Sequence, residues 1–476
     1  MRSTLQLHRG GRVMRSASIA HWRLISTAWL FLPLSLSGFT IATRAMAQQP
    51  SPAPMRLTLA QAIELALKQN HSIHLRSLSV EQMQSKKDEA RSNYLPQINA
   101  KGSTLHITEL AGVEIPSGAF GSPTSTGPIP SKSLFIDQGA ATGYTGGVGL
   151  EQPLTQLFRI HQANVAAKQD VLVAKTQLDQ TQDAIALEVR QLYYNILINQ
   201  QKLEASQDQL AAAQVKDEES RSDVARGNAL EVSVLQSEAS ILQVQQESLT
   251  LRLEGSDLRR QLADTLGLPV NIPIDLDPGA AAAMLDIPSR ADAVRIALDQ
   301  NQDLKAARQT LVKAQAGLAA AKDAYIPDIT GISRYSYQSG IPLLVHNFGT
   351  FGFSLNYDLF DGGRREANVR EARSEVRSAE VAVDKLQSDI EVQVQGIYDR
   401  VDELRQMVDV AGQAVKVRTE AARLADRQFE QNAALSSARS QTHADLTSAT
   451  ASLVEARLGL ALAKADLKRA IGQKPQ

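Results

Sequence analysis

The sequence has no cysteine and few aromatic residues. Its 476 residues include 10 Phe, 9 Tyr and 2 Trp, and they carry 50 Lys and Arg against 51 Asp and Glu. Without cysteine there are no disulfides, thiolate metal sites, cysteine nucleophiles or lipid-modified N-terminal cysteines. The balanced charge gives no basic excess for nucleic-acid binding. An aromatic content of 4% disfavours several compact globular cores and favours long helices.

The first 47 residues have the composition of a secretory signal peptide. They carry six arginines and no acid, and residues 25–39 form a mostly apolar run. That run is shorter than the roughly 20 residues that a bilayer-spanning helix needs. Ala45 and Ala47 form a small-x-small cleavage site. We therefore expect residues 1–47 to be removed on export, with Met14 as an alternative start and an uncleaved anchor as the alternative interpretation. No lipid anchor is expected.

The remainder of the sequence is an internal duplication. Four landmarks recur: Ala62 to Asn70 with Ala293 to Asn301, Tyr94 to Ile98 with Tyr325 to Ile329, Ala163 to Val165 with Ala367 to Val369, and Gly267 with Gly472. The offset is 231 for the first two pairs and 204 or 205 for the others, so the second copy is shorter between its strands. We expect repeats at residues 57–267 and 289–472, an N-terminal linker at 48–56, an inter-repeat linker at 268–288 and a tail at 473–476.

Each repeat predicts the same order of elements: a helix, two strands, a very long helix and a shorter helix. The predicted first helices are 59–93 and 291–324, with Thr58 and Ser289 as N-caps. The predicted strands are 97–109, 144–154, 329–339 and 348–360. The predicted hairpin helices are 158–226 with 229–266, and 364–431 with 433–471.

The hairpin helices have the spacing of a coiled coil. Apolar residues alternate in steps of three and four at Leu446, Ala449, Leu453, Ala456, Leu460, Ala463 and Leu467. A helix over 158–226 would extend about 100 Å. By length alone, helices 229–266 and 289–323 stack end to end beside it. Gly227, Asn228 and Asn432 are predicted to turn the hairpins, because Gly and Asn tolerate a left-handed backbone.

One predicted strand alternates strictly between apolar and polar residues. Phe351, Phe353, Leu355, Tyr357 and Leu359 share one face. This pattern is typical of a lipid-facing transmembrane strand and also of a half-buried strand in a soluble sheet. The predicted export favours the former. Four strands are too few for a lipid-embedded barrel, so several chains would have to share one.

Four segments resemble the TolC-type outer membrane efflux proteins: 57–70, 95–98, 357–364 and 468–472. The resemblance implies a mainly α fold with a β-barrel portion, in which four strands per chain form the 12-strand barrel of a homotrimer above an α-helical periplasmic tunnel. It further implies a passive duct in the cell outer membrane, serving a tripartite efflux or type I secretion system. Its partners would be a periplasmic adaptor (membrane fusion) protein and an inner-membrane transporter of RND, ABC or MFS type. Neither an enzymatic activity nor a cofactor is expected.

The resemblance places a gate at the hairpin turns. The candidate gate residues are Arg226, Gly227, Asn228, Glu231, Asn432, Arg439 and Asp445. Many family members carry acids just after the second turn, whereas residues 433–442 contain no acid and Arg439 as their only charge. The alternative hypothesis is an exported structural coiled coil or a periplasmic adaptor. Adaptors usually have one hairpin, whereas two are predicted here.

Overall fold

The computed structural model describes residues 55–108, 112–137, 140–279, 286–340 and 345–473. The predicted signal peptide, with Ala45 and Ala47, lies outside the described residues, as does most of the predicted linker at 48–56. The first half contains β1 (Met55–Leu57), α1 (Leu59–Gln69), α2 (His71–Ser92), β2 (Gln97–His106), β3 (Gly112–Ile115), β4 (Leu134–Asp137), β5 (Thr142–Pro153), α3 (Leu157–Ala225) and α4 (Glu231–Thr265). The second half contains β6 (Ile274–Leu276), α5 (Arg290–Gln300), α6 (Gln302–Asp323), β7 (Asp328–Ser339), β8 (Asn347–Asn356), α7 (Arg364–Glu430) and α8 (Ser436–Ala470).

The helix that opens each repeat is broken in two by an asparagine, so the prediction of single helices over 59–93 and 291–324 is wrong. Asn70 ends α1 and caps α2 by accepting the N–H of Ser72 at 2.8 Å. Asn301 ends α5 and caps α6 by accepting the N–H of Leu304 at 3.1 Å. An asparagine in extended conformation is a strong N-cap, and this outweighs the helical pattern around it.

The other predicted helices are confirmed. Thr58 forms a capping box with Gln61, and the Ser289 side chain accepts the N–H of Asp292 at 3.2 Å. Helices α3 and α7 run for 69 and 67 residues without a break. Among the described residues, no helix combines the length and apolarity needed to cross a bilayer.

The two long helices, α3 and α7, run through two successive rows of four helices, one near the hairpin turns and one near the strands. Near the turns, α3 packs on α4 and α8, and α8 packs on α7, which gives the order α4–α3–α8–α7. Near the strands, α3 packs on α2 and α6, and α6 packs on α7, which gives the order α2–α3–α6–α7. Long helices paired in this way bury their heptad seams against each other.

The shorter helices stack differently from the expectation. The side chain of Asn70 donates a hydrogen bond to the Thr265 carbonyl at 2.9 Å, and Asn301 donates to the Ala470 carbonyl at 2.9 Å. Helix α4 therefore continues into α2 and α8 into α6, each pair belonging to one repeat. The predicted stack of 229–266 on 289–323 is wrong, because helix lengths alone do not identify the partner.

The apolar core lies midway along the helices. Tyr193 of α3 is fully buried, and its hydroxyl lies 3.0 Å from the Leu57 carbonyl and 2.7 Å from the Asp277 carbonyl. These contacts tie α3 to the parallel pair β1–β6. In the second repeat Tyr398, which lies 205 residues after Tyr193, donates to the carbonyl of Pro288, which lies 231 residues after Leu57. The duplication therefore preserves hydrogen bonds as well as sequence.

The four longer strands form an antiparallel sheet in the order β2–β5–β7–β8, and β3 pairs with β4. Strand β8 ends at Asn356, which pairs with Asp328. Tyr357 and Leu359 therefore lie beyond the strand, and the prediction that it extends to residue 360 is wrong. The partner strand β7 begins directly after Pro327, whose missing N–H cannot continue the ladder.

Candidate functional site

The two hairpin turns have the same backbone geometry. Gly227 and Asn432 adopt left-handed φ values of 76° and 53°. The N–H of Asn228 reaches the Asp223 carbonyl at 2.9 Å, and that of Ala433 reaches the Gln428 carbonyl at 2.8 Å. This six-to-one bond is the Schellman motif, which satisfies the last carbonyls of a helix. The predicted turns at Gly227, Asn228 and Asn432 are confirmed.

Arg226 and Glu231, the other two predicted gate residues of the first repeat, lie on either side of the first turn. Arg226 follows α3 directly and forms an exposed ion pair with Asp223 at 2.8 Å. Glu231 is the first residue of α4 and is exposed. A carboxylate in the first turn interacts favourably with the positive end of the helix dipole. Both side chains therefore have local structural roles in addition to any gating role.

The second turn carries a charged cluster centred on Asp426 of α7. Arg439 Nε donates to Asp426 Oδ1 at 2.7 Å, and its guanidinium lies 5.1 Å from the centre of the Phe429 ring. His443 Nε2 lies 3.0 Å from the same carboxylate oxygen. The hydrogen bond from His443, and then that from Arg439, lowers the pKa of Asp426. Arg439 is thus held by an acid of the neighbouring helix.

Asp445 lies further along α8 and is also held by α7. Arg418 Nη1 donates to Asp445 Oδ2 at 2.8 Å, and Gln441 donates to Oδ1 at 2.9 Å. The two gate candidates of α8 therefore clamp α8 onto α7 rather than stand free. These exposed pairs are worth little individually in stability, and their main effect is on geometry.

Polar contacts of Glu219, Asp208 and Lys202 join the first hairpin to the second. Glu219 of α3 accepts the N–H of Ser437, in the first turn of α8, at 2.9 Å. Thr447 donates to Asp208 at 2.6 Å, and Lys202 pairs with Glu455 at 2.8 Å. Glu219 acts as an N-terminal cap supplied by another helix, because α8 has no capping side chain of its own.

Sequence reasoning missed Glu219, Asp426 and His443. Arg439 stands three residues after the start of α8, and Asp426 stands four residues before the end of α7. Their similar distances from the turn place them side by side in an antiparallel hairpin, so this pair could have been found. Glu219 lies on another hairpin, and no sequence spacing relates it to Ser437.

The four-stranded sheet has two different faces. Directly paired residues of an antiparallel sheet share a face. The pairing of Phe351 with Ser333 and of Ser333 with Leu150 fixes the first face across three strands. It carries Ile98, Tyr144, Val148, Leu150, Tyr335, Tyr337, Phe351, Phe353 and Leu355. Phe351, Phe353 and Leu355, the residues of β8 that were predicted to face lipid, are 91%, 78% and 68% exposed.

The second face is mainly polar. It carries Asn99, Lys101, Thr145, Glu151, Thr330, Arg334, Ser336, Gln338, Thr350 and Ser354, with Leu105, Ile332 and Phe348 as exceptions. The sheet has a hollow whose lining residues come mostly from this face, among them Lys101, Arg334 and Gln338. The polar face is thus the concave one.

A strand-to-helix junction follows β8 at the residues that carry the family resemblance. The Asp361 carboxylate accepts the N–H of Gly363 at 3.0 Å and the Arg365 guanidinium at 2.7 Å. The same guanidinium lies 4.7 Å from the centre of the Tyr357 ring. The hydrogen bond from Arg365 lowers the pKa of Asp361. Tyr357 therefore serves this junction rather than the strand face.

Several solved structures of outer membrane channels superpose on this chain. The Campylobacter jejuni CmeC outer membrane channel superposes with a TM-score of 0.70 at 15% identity, covering 87% of this chain and 85% of that one. The open state of the Neisseria gonorrhoeae MtrE outer membrane channel gives 0.69 at 19% identity, covering 88% and 89%. At these identities the likeness establishes the fold.

The family follows from the sequence. The family model of outer membrane efflux proteins matches residues 62–268 and again residues 293–473. The chain therefore belongs to the outer membrane efflux protein family, which confirms the predicted resemblance. Outer membrane efflux protein BepC of Brucella suis biovar 1 (strain 1330) is 23% identical over 277 residues, or 56% of this chain and 58% of the relative. The match thus spans little more than half the relative's length. Membership of this family agrees with the prediction that the chain is not an enzyme.

Proposed function

We propose that this chain is the outer membrane duct of a tripartite efflux or type I secretion system, built as a homotrimer with a 12-strand barrel. The observation that carries the proposal is the two-faced sheet, apolar on one side and polar on its concave side, at the end of helices about 100 Å long. Alternation of this kind suits a strand with lipid on one side and a water-filled lumen on the other.

The order of the elements supports a closed ring of copies. The end members of the three rows are β2 and β8 in the sheet, α2 and α7 beside it, and α4 and α7 near the turns. One side of the chain thus ends in first-repeat elements and the other in second-repeat elements. Contact between unlike sides is heterologous, and it closes when the rotation is a whole fraction of a turn.

Exposed apolar stripes on the outermost helices mark where copies would meet. On α4, Leu235, Leu242 and Leu249 recur every seven residues and are 59–65% exposed. On α7, Val410, Val417 and Leu424 recur in the same way. A heptad stripe without a partner in the chain is a coiled-coil seam for another helix.

The number of strands in each chain favours an assembly of three copies. One chain supplies four strands of the sheet and leaves the outer edges of β2 and β8 without a partner among the described residues. An open edge cannot persist in lipid, because its backbone groups have no water to bond. Three copies supply twelve strands, the number that the family resemblance implies.

In this proposal residues 57–267 and 289–472 are the two repeats, linked by 268–288, and residues 1–47 direct export. Conduction is passive, and the hairpin turns form the periplasmic gate, with Arg226, Glu231, Arg439 and Asp445 near its surface. A periplasmic adaptor and an inner-membrane transporter would engage the turns, and movement of the α7–α8 hairpin away from α3 would open the duct. The contacts of Glu219 and Asp208 with α8 hold that hairpin in place.

Cysteine cross-linking tests the assembly, because the chain has no native cysteine. Leu242 lies 11 residues into α4 and Val417 lies 13 residues before the end of α7, so the two stand at similar heights above the turns. A chain with both Leu242→Cys and Val417→Cys should give covalent dimers and trimers with a short thiol cross-linker. It should also form small, mostly closed channels in planar bilayers.

The matched control pairs Leu242→Cys with Val381→Cys, which is about as exposed as Val417 but lies 36 residues earlier in α7, roughly 54 Å further from the turns. This pair should give no trimer ladder. Recovery of the mature protein only in the soluble periplasm, without cross-linked trimers or conductance, would refute the proposal and favour the structural coiled coil or adaptor.

A further inference from the structure

The concave face of the sheet carries two cations that have no acidic partner. Lys101 of β2 pairs across the ladder with Gly147, and Arg334 of β7 pairs with Gly149, so the two cations stand on adjacent rungs on either side of β5. Neither forms an ion pair with any residue that the structure describes, and both are exposed. An unpaired cation exposed in a lumen is available to ions that pass it.

Gly149 of β5 leaves room for the Arg334 side chain, and Gly147 leaves room for the backbone of β7. A Cβ atom at Gly149 would lie 3.6 Å from Arg334 Nε and 3.1 Å from Asn99 Oδ1. A Cβ atom at Gly147 would lie 2.6 Å from the Tyr335 carbonyl oxygen. The Arg334 side chain therefore lies across β5 over a bare backbone, on the floor of the hollow.

The remaining charges of this face do not cancel the two cations. Glu151 stands one rung further towards the helices, opposite Ile332. Asp328, at the start of β7, is already paired with Arg159 of α3. The four described strands thus contribute two cations and one unpaired acid to the concave face, although the whole chain has slightly more acids than bases.

We propose that Lys101 and Arg334 form a basic zone in the barrel lumen that attracts anionic solutes, such as compounds bearing carboxylate, sulfate or phosphate groups. The inference rests on the proposed trimeric duct, in which six cations would face the lumen against three Glu151 carboxylates. Charges of one sign that line a channel raise the local concentration of ions of the opposite sign.

The effect depends strongly on salt. The screening length is about 8 Å at physiological ionic strength and about 30 Å at 0.01 M. The zone therefore acts across the lumen at low salt and mainly near its wall at high salt. This dependence separates an electrostatic zone from a steric filter.

A single thiol beside the zone measures its potential. Ser336→Cys would place a thiol on the concave face, in the same rung as Lys101. We would compare its reaction rates with an anionic and a cationic methanethiosulfonate reagent at 0.01 M and 0.5 M ionic strength. Adding Lys101→Gln and Arg334→Gln should lower the ratio of anionic to cationic rates at least fivefold at low salt. Adding Glu151→Gln instead should raise it.

The matched control is Ser333→Cys on the same strand, which lies on the opposite face beside Phe351. In reconstituted trimers it should react slowly with both reagents, and the charge substitutions should not change their ratio. If the double substitution prevents trimer formation, Lys101→Gln alone should lower the Ser336→Cys ratio at least twofold.

The outcomes separate the two proposals. The basic zone would be overturned, and the duct left intact, by one combination of results. The trimers would conduct, but the ratio of anionic to cationic reaction rates at Ser336→Cys would not change on substitution of Lys101 and Arg334 at low salt. Absence of both conductance and cross-linked trimers would instead overturn the duct. An equal fall in the ratio at both ionic strengths would also refute an electrostatic origin.

Discussion

The side-chain amide of Asn301 donates a hydrogen bond to the main-chain carbonyl of Ala470 over 2.9 Å, and this contact seats the end of α8 on the start of α6. Asn70 makes the equivalent bond to Thr265, also at 2.9 Å. Both asparagines are almost fully buried, and each also caps the helix that follows it. One side chain therefore satisfies two helix ends.

Replacing Asn301 with alanine should lower the free energy of unfolding by about 2–4 kcal/mol. Loss of the N-cap costs about 1 kcal/mol, and the carbonyl left unsatisfied adds about 1–3 kcal/mol. Asn70→Ala should have a similar effect. The control is Gln300→Ala, an exposed neighbour that should change stability by less than about 0.5 kcal/mol. Denaturant unfolding followed by helical circular dichroism measures all three, and equal curves for Asn301→Ala and Gln300→Ala would contradict the dual role.

A comparison of Gly472, which ends the second repeat, with Gly227, at the first hairpin turn, gives a second prediction. Gly472 has a φ of +78°, and a Cβ atom there would lie 2.3 Å from the Gln300 carbonyl oxygen. Gly227 has a φ of +76° with no atom within 4 Å. Gly227→Ala should therefore cost only the left-handed backbone, about 1–2 kcal/mol. Gly472→Ala should cost more, because a main-chain carbonyl must also move. Thermal midpoints compare the two variants, and an equal loss would show that the close approach is relaxed without cost.

Alkaline pH should destabilise the core around Tyr193. Burial raises the pKa of Tyr193 to about 12. An ordinary tyrosine in the unfolded chain loses its proton near pH 10. Between these values the unfolded state binds fewer protons than the folded state, so stability falls as pH rises from about 10 to 12. Tyr193→Phe should be less stable at pH 7, by about 1 kcal/mol for the lost hydrogen bond, but should show a shallower alkaline loss. Melting curves at several pH values measure this, and an unchanged alkaline slope in Tyr193→Phe would contradict it.

The contact between the hairpins should hold the duct closed. Glu219→Ala removes the carboxylate that caps α8 and leaves the N–H of Ser437 without that acceptor. A lost hydrogen bond of about 1 kcal/mol would raise the open-to-closed ratio roughly fivefold. Glu218→Ala, at an exposed neighbouring acid, should leave the ratio unchanged. Single-channel recordings of both proteins provide the measurement, and equal open probabilities would remove Glu219 from the gate.

Local signals in the sequence predicted much of this fold. The helices predicted at 158–226 and 364–431 match α3 and α7 to within one residue at each end, and Gly227 and Asn432 marked their turns because few residue types accept a left-handed backbone. The offsets of 231 and 205 correctly related the two repeats. These features depend on residues close together in the chain.

Features that depend on tertiary contacts were missed or wrong. Asn70 and Asn301 cap the helices that follow them, and they also bond the distant carbonyls of Thr265 and Ala470, which no local pattern in the sequence reveals. The end of β8 depends on Pro327, just before the neighbouring strand β7, so Tyr357 and Leu359 were wrongly assigned to β8. The contact of Glu219 with Ser437 was missed because the two residues lie on different hairpins, 218 positions apart in the chain.

The joint at each buried asparagine has a mechanical consequence. Helices α3 and α7 are unbroken rods, whereas their companions are each two rods butted end to end at Asn70 and Asn301. A butted pair transmits compression along its axis but bends easily where the main chain is discontinuous. Each hairpin thus combines a stiff strut with a jointed one. A sideways force on the turns would bend the shorter helices at the joints beside Asn70 and Asn301 and leave the sheet at the far end undisturbed.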